Sequence, residues 1–224
     1  MAATNGTPAG WIIDEDFSQG MDDWWVEGGE EAVVESGRLV VRADKPDLPG
    51  GRVCTVWCRT PHPADFELQL DAHVLKSSLD ANNINLFLGF SDPSGRPLLE
   101  TRDQRSSASY SLYHRLNGNI VTFLNDQGGE GGLRDDGSTK ARVRIRHCPG
   151  FELLYETYRG HCRQGVTYHL MVVRQGGTVA FSVDGTEFLR ATDAAPPGPG
   201  LFGLRTFATE LWWDNVRLRP LAAQ

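Results

Sequence analysis

"DFELQLDAHV", residues 65–74, alternates apolar and polar side chains along its whole length. The apolar positions are Phe66, Leu68, Leu70, Ala72 and Val74, and the polar positions between them are Glu67, Gln69, Asp71 and His73. Successive side chains of a β-strand point to opposite faces of its sheet, so this alternation predicts a half-buried strand. One face of the strand packs on a core, and the other points outwards.

Similar short runs recur through the chain and predict the fold class. Further strands are predicted at 37–43, 52–58, 83–90, 109–116, 119–125, 141–148, 151–158, 168–175, 178–185, 187–192 and 211–221. The dipeptides Asn117-Gly118, Gly176-Gly177 and Asp184-Gly185 are typical of tight turns. We find no helical period and no internal repeat. The pattern therefore predicts an all-β protein, an antiparallel two-sheet sandwich or jelly roll.

Length and charge limit the classes of function. The chain has 224 residues, 40% of them hydrophobic, which suits one β-sandwich domain over 11–221 after a short disordered lead at 1–10. A net charge of −7 argues against nucleic acid as a partner, because such binding needs a broad basic surface. No apolar run is long enough to span a membrane. Without the features of a signal peptide, we expect a cytoplasmic location.

Four cysteines are present, Cys54, Cys58, Cys148 and Cys162. In a cytoplasmic protein they are expected to be reduced and buried, and Cys54 and Cys58 share a strand face with Val56. No CxxC pair or closely spaced histidine pair accompanies them, so a zinc site is not predicted. We expect no cofactor.

"ARVRIRHC", residues 141–148, places three arginines on one strand face. Arg142, Arg144 and Arg146 alternate with Val143 and Ile145. In an acidic protein this concentration of guanidinium groups favours an anionic or heavily hydroxylated ligand, most simply a carbohydrate. The alternative is a set of surface ion pairs, in which these arginines meet Glu67 and Asp71 across neighbouring strands.

The outward faces of other strands carry amides and an aromatic ring. Planar amides suit sugar hydroxyls, and an aromatic plane suits the apolar face of a sugar ring. The predicted substrate-binding residues are Trp57, Gln69, Asn83, Asn85, Arg142, Arg144 and Arg146.

"YSLYHRLNGN", residues 110–119, offers groups for proton transfer. Tyr113 and His114 are the predicted catalytic residues, with His73 as a reserve base, because histidine titrates near neutrality and tyrosine can exchange a proton when tuned. The alternative for His114 is a hydrogen-bonded core histidine. No glycosidase arrangement of carboxylates, GxSxG elbow, P-loop or dinucleotide motif is present.

Several stretches together show a resemblance to a known family. "DEDFSQGMDDWWVEGG" (14–29) and "GLFGLRTFATELWWDNVRL" (200–218) resemble the terminal strands of concanavalin-like sandwiches. "VWCRTPHPADFELQLDAHV" (56–74), "YSLYHRLNGNI" (110–120) and "RIRHCPGFELLYE" (144–156) resemble the bacterial YesU-like family of unknown function. The resemblance implies a jelly roll with a concave ligand-binding face and an association with polysaccharide breakdown. It matches Trp57, Tyr113, His114 and Arg146.

These observations favour a carbohydrate-active enzyme that cleaves acidic or keto-sugar oligosaccharides by β-elimination, with hydrolysis a weaker option. The first alternative is a non-catalytic carbohydrate-binding module, and the second is a structural or assembly subunit. The expected partner is an oligosaccharide or another polar small molecule. Relatives in the superfamily often hold calcium, but for Asp14, Asp16 and Asp214 we expect solvated charges at strand ends rather than a structural calcium.

Overall fold

A computed structural model describes residues 10–29, 31–125 and 143–222, without the side chains of residues 79 and 80. Within these ranges it contains thirteen strands and two short helical turns, a 3-10 helix (Arg102–Arg105) and α1 (Tyr110–Tyr113). The strands are β1 (Ile13–Glu15), β2 (Trp24–Gly28), β3 (Glu31–Glu35), β4 (Arg38–Ala43), β5 (Val53–Cys58), β6 (Phe66–Ser91), β7 (Asn117–Phe123), β8 (Val143–Cys148), β9 (Glu152–Thr157), β10 (Thr167–Gln175), β11 (Thr178–Val183), β12 (Thr186–Thr192) and β13 (Leu201–Pro220).

The strands form two sheets that share their two longest members. Sheet A has the order β12-β11-β10-β6-β13-β4-β3, with β1 also paired to β13, and sheet B has the order β2-β5-β13-β6-β7-β8-β9. The first part of β6 pairs with the last part of β13 in sheet A, and the remaining parts pair in sheet B. All the strand pairings are antiparallel. The predicted all-β, antiparallel two-sheet sandwich is confirmed.

The main core lies between the sheets. The apolar positions of 65–74 face it, joined by Ile84, Leu86 and Leu88 further along β6, as the alternation predicts. Cys54, Val56 and Cys58 enter this core together, and all four cysteines are free and buried. The predicted burial of the thiols is confirmed.

A second hydrophobic cluster lies on the outer side of sheet B. Residues 92–116, which we call the cover, pack over the sheet and include both helical turns. The cluster joins cover residues to sheet residues: Leu98, Ala108, Tyr113 and Leu116 meet Trp25, Trp57, Phe87, Phe90, Ile120 and Cys148. Part of the outer face of sheet B is therefore buried beneath the cover and is not open to solvent.

The cover corrects one predicted strand. The stretch 109–116 contains a single turn of α-helix at Tyr110–Tyr113, which places Tyr113 and Leu116, three residues apart, against sheet B. Asn117-Gly118 begins β7 instead of forming a hairpin turn. The two strands predicted at 65–74 and 83–90 are parts of one long strand, β6.

Two turn predictions are confirmed. Gly176-Gly177 joins β10 to β11, and Asp184-Gly185 joins β11 to β12. All four residues have positive φ, as two-residue hairpins of this kind require.

Arg142 and most of the loop 125–140 lie outside the described residues, as does most of the predicted lead. In the described part of the chain, no helix is long and apolar enough to cross a membrane.

Candidate functional site

A continuous polar row crosses the outer face of sheet B. The register places one residue of each strand in line: Glu27, Thr55, Arg205, Asn85, Thr122, Arg144 and Glu156. Thr122 donates its hydroxyl to Asn85 Oδ1 at 3.1 Å, and Arg205 Nη1 donates to Thr55 Oγ1 at 2.8 Å. Seven strands thus contribute one polar residue each to the outer face of sheet B.

An apolar row runs beside it under the cover. It contains Trp25, Trp57, Gly203, Phe87 and Ile120, followed by Arg146 and Leu153. Trp25 stacks on Trp57 with ring centroids 5.9 Å apart. A Cβ atom at Gly203 would lie 2.7 Å from Trp57 Cε3, so only glycine lets the indole lie flat on β13.

Glu27 fastens the cover to the sheet. Its buried carboxylate accepts hydrogen bonds from Trp57 Nε1 (3.0 Å), Tyr113 Oη (2.8 Å) and Arg105 Nη2 (2.9 Å), and from Trp25 Nε1 at 3.4 Å. Arg105 also donates to the Leu98 and Thr101 carbonyls, which closes the turn before it. The buried charge is paired and its lone pairs are satisfied, which is the condition for stability at such a site.

Arg205 is the second buried charge of this face, and its surroundings differ. Its side chain is 2% exposed and lies 4.9 and 5.0 Å from the ring centroids of Tyr110 and Tyr113. Thr55 is its hydrogen-bond partner among the described residues, and no carboxylate of that part of the chain is within ion-pair distance. Burial lowers the pKa of Arg205 below its usual value, although an arginine remains charged.

Arg205 lines an open groove of about 620 Å³. Tyr110, Phe207 and Asn82 line it as well, and Ser107 and Ser109 of the cover add hydroxyl groups; the remaining lining residues are Pro46, Leu48, Gly50, Arg52 and Val53. Asn82 Oδ1 is buried without a hydrogen-bond partner among the described residues. The volume falls within the range of small-molecule sites.

A column of stacked groups continues from the groove along the cover. Tyr110 meets His114 edge to face at 4.8 Å, His114 stacks on Phe151 at 3.7 Å, and the Arg146 guanidinium lies 4.2 Å from the Phe151 ring. Burial, with help from Arg205 and Arg146, lowers the pKa of His114. His114 is therefore a neutral imidazole at pH 7.

Trp57 and Tyr113 correct the expectation of an open ligand face. Both are fully buried beneath or within the cover, so neither ring reaches solvent. Burial and the Glu27 carboxylate raise the pKa of Tyr113, which opposes its use as a base. His114 is half-buried, and its Nε2 has no partner in the described part of the chain.

The predicted amides lie in three different places. Asn85 lies in the polar row, whereas Asn83 is buried and holds the bend of β6 by donating to Ser77 Oγ at 2.8 Å. Gln69 and His73 lie on the outer face of sheet A, where Gln69 donates to Glu67 and His73 stacks on Trp212. The structure therefore does not bring Gln69 and His73 to the other predicted residues.

Arg144 and Arg146 lie on the outer face of sheet B, as the alternation predicts. The alternative pairing with Glu67 and Asp71 does not occur for these two arginines. Glu67 accepts from Arg219 at 2.7 Å, and Asp71 accepts from His169 at 2.9 Å, both in sheet A.

The three aspartates considered for calcium each have a partner within the protein. Asp14 pairs with Arg217 at 2.8 Å, Asp214 lies 3.6 Å from Arg38, and Asp16 accepts the Ser18 amide at 2.9 Å. In the described ranges no three metal-ligating side chains gather.

Sequence reasoning missed Glu27, Arg105, Arg205 and Tyr110. Arg205 lies two residues from both Gly203 and Phe207, and this spacing would have placed its side chain on the outer strand face with theirs. Trp25 and Glu27 are also two residues apart and would have been assigned to one face in the same way. Arg105 gives no such signal, because it belongs to a turn.

Comparisons with known proteins agree with this architecture. A family model described as a domain of unknown function, DUF6250, matches residues 49–216. The comparison with curated proteins gives no match.

Solved structures share the fold at low sequence identity. A Bacillus subtilis protein of unknown function with a galectin-like fold has a TM-score of 0.79 and 16% identity, covering 97% of this chain and 99% of that one. The carbohydrate-binding module CBM66 from Bacillus subtilis has a TM-score of 0.57 and 14% identity over 88% of this chain and 95% of that one. The exoplasmic domain of VIP36, bound to Ca²⁺ and Man3GlcNAc, has a TM-score of 0.61 and 14% identity, covering 96% of this chain and 89% of that one.

Proposed function

The chain belongs to the family of domains of unknown function DUF6250, and because that description assigns no activity, we propose one from the geometry. The protein binds a carbohydrate in the groove beside Arg205 and does not cleave it. The observation that carries this proposal is the lining of the groove: two aromatic rings, Tyr110 and Phe207, lie beside the Arg205 guanidinium and the hydroxyl-bearing residues Ser107 and Ser109.

This combination matches the chemistry of sugars. Aromatic rings cover the apolar C–H face of a pyranose, while amide and guanidinium groups hydrogen-bond its hydroxyls. The groove is also large enough for a short oligosaccharide. Two proteins that share the fold are described as a carbohydrate-binding module and as a mannose-containing glycan complex, which supports a sugar ligand here.

Binding without turnover is favoured by the state of the predicted catalytic pair. The Tyr113 hydroxyl is committed to Glu27, and its ring is buried. The reserve base, His73, lies on the other sheet. A base and an acid therefore do not converge on the groove.

The test is a glycan array followed by titration calorimetry with the oligosaccharide that binds. Tyr110→Ala removes a half-buried ring from the groove and should weaken binding at least tenfold, about 1.4 kcal/mol. Tyr155→Ala is the matched control, because Tyr155 is 50% exposed on β9 and does not line the groove. Absence of any glycan ligand, or equal loss in both variants, would contradict the proposal.

One observation keeps β-elimination on an acidic or keto-sugar oligosaccharide as a second candidate. His114 is half-buried and meets the groove residue Tyr110 edge to face, and burial, with help from Arg205 and Arg146, lowers its pKa. A neutral imidazole beside guanidinium groups is able to take the proton on the carbon next to a carboxylate; the glycosidic C–O bond then breaks, a C=C double bond forms, and the departing oxygen takes a proton from water. Ultraviolet absorbance of the unsaturated product, present with the unaltered protein and lost in His114→Gln, would favour this candidate over simple binding.

A further inference from the structure

Arg205 is a buried charge that the described protein does not neutralise. The other buried arginine of this face, Arg105, is paired with Glu27 at 2.9 Å, and the same carboxylate is fully occupied by four donor residues. Arg205 instead has a neutral threonine as its hydrogen-bond partner and aromatic rings around it. A guanidinium has five N–H donors, so most of its donor capacity is left over.

The N–H donors of Arg205 that Thr55 does not use face the groove. Arg205 lines the groove, and none of its nitrogen atoms is among the buried unpaired polar atoms of the described chain. Its N–H groups other than the one to Thr55 are thus in contact with the open space of the groove. A charged side chain that is 2% exposed keeps strong electrostatic interactions, because little water is present to screen them.

The outer face of sheet B carries further arginines as well as the carboxylates Glu27 and Glu156. Arg144 lies three strands from Arg205 in the polar row, and Arg146 stacks on Phe151 at the far end of the column. Both Arg205 and Arg146 act on the pKa of His114, so their fields overlap between the groove and the column. Of the described residues that line the groove itself, the two charged ones, Arg52 and Arg205, are both arginines.

We infer that the groove selects a sugar that carries an anionic group, and that this group pairs with Arg205. This inference rests on the proposed function and specifies its ligand class. A guanidinium fork matches the two oxygens of a carboxylate and also pairs with a sulfate ester, so uronic acids and sulfated sugars are the two sources of the same chemistry. An uncharged sugar would leave the guanidinium without a counter-ion.

The test compares matched ligands by titration calorimetry. An oligogalacturonate and an oligoglucuronate are each measured against their carboxyl-reduced counterparts, which keep the linkages and lose the charge, and a sulfated galactan oligosaccharide forms the third arm. We expect an anionic ligand to bind about 10- to 100-fold more tightly than its neutral counterpart, and added salt to reduce the difference. Tighter binding of the sulfated ligand assigns the anion as sulfate and supports the inference.

Two variants separate the effect of Arg205 on ligand affinity from the effect of removing any one positive charge. Arg205→Gln should remove the preference for the anionic ligand, whereas Arg190→Gln, at an exposed arginine of β12 outside the groove, should keep it. Thermal melting checks that each variant is folded; if Arg205→Gln does not fold, the ligand comparison with the unaltered protein decides.

The possible outcomes distinguish a failure of this inference from a failure of the proposed function on which it rests. Equal affinity for anionic and neutral oligosaccharides would overturn the anionic preference and leave carbohydrate binding in place. If neither kind of ligand binds, the proposed function fails and the inference fails with it.

Discussion

Tyr113 shows at the residue scale how a group expected to be catalytic serves the fold. Its hydroxyl donates to the Glu27 carboxylate at 2.8 Å in a fully buried setting. Hydrogen bonds to buried charges are among the stronger side-chain interactions in proteins, because the charged acceptor has lost its water. Tyr113 therefore joins the cover to sheet B.

Replacing this hydroxyl should lower stability and leave the groove intact. Tyr113→Phe is expected to reduce the free energy of unfolding by about 1.5–3 kcal/mol, as urea denaturation measures it. Tyr155→Phe, at a half-exposed hydroxyl, is the control and should change stability by less than about 0.5 kcal/mol. Equal stability of the two variants would show that the contact with Glu27 contributes nothing.

Gly203 gives a second residue-scale prediction. A methyl group at this position would press on the Trp57 ring from 2.7 Å, so Gly203→Ala should destabilise the protein by about 1–3 kcal/mol through overpacking. Gly198→Ala is the control, since nothing lies within 4 Å of a Cβ at that position. The comparison is a pair of thermal melts, and a Gly203→Ala protein that melts with the Gly198→Ala protein would contradict the packing argument.

At the scale of elements, periodicity predicted what lies between the sheets better than what lies outside them. Alternation in 65–74 and in 83–90 gave the core face of β6 correctly, because burial on one side imposes a period of two. The cover has no such constraint: it packs on one side only, in single turns too short to show a period. That is why alternation predicts a strand over 109–116, where the structure has a single turn of helix.

The candidate site illustrates the same limit. The outward direction of Arg144, Arg146 and Asn85 follows from alternation, but accessibility depends on which segment packs over the face, and alternation within a strand does not show that. Trp57 is on the predicted face and is still fully buried. Gln69 and His73 point outward from the same strand as Asn85, yet β6 passes from one sheet into the other between them.

His62 links two elements and makes stability depend on pH. Its Nε2 accepts the Gly89 amide at 3.1 Å and its Nδ1 is 2.8 Å from the Pro63 carbonyl, an arrangement that requires the neutral ring. Burial lowers the pKa of His62 to about 4. Between pH 6.5 and pH 4 the unfolded chain therefore binds a proton that the folded chain does not, so stability falls as the pH falls through this window.

The contribution of His62 is isolated by comparing variants. Across the window each pH unit should lower the free energy of unfolding by about 1.4 kcal/mol more in the unaltered protein than in His62→Gln, as chemical denaturation at several pH values measures it. Gly198→Ala, a change that adds or removes no titratable group, should keep the slope of the unaltered protein. Parallel curves for the unaltered protein and His62→Gln would disprove the role of the buried imidazole.

At the scale of the whole molecule, β6 and β13 prevent the two sheets from behaving as separate units. The two strands pair with each other in both sheets, and each sheet then adds its own neighbours on either side. Loss of sheet B would expose the main core, whose residues come from both sheets, and would cost sheet A its packing partner. A core shared in this way favours all-or-none unfolding.

We therefore expect a single unfolding transition for residues 11–221, which is also the test of the predicted single domain. Tryptophan fluorescence reports on the contact with the cover through Trp25 and Trp57 and on the main core through Trp24 and Trp213, while far-ultraviolet circular dichroism reports on the strands of both sheets. The two signals should give the same denaturation midpoint, and the calorimetric and van't Hoff enthalpies should agree. Earlier loss of the fluorescence signal would mean that the cover unfolds independently. The groove, which the cover lines through Tyr110, would then be a site that local unfolding is able to open.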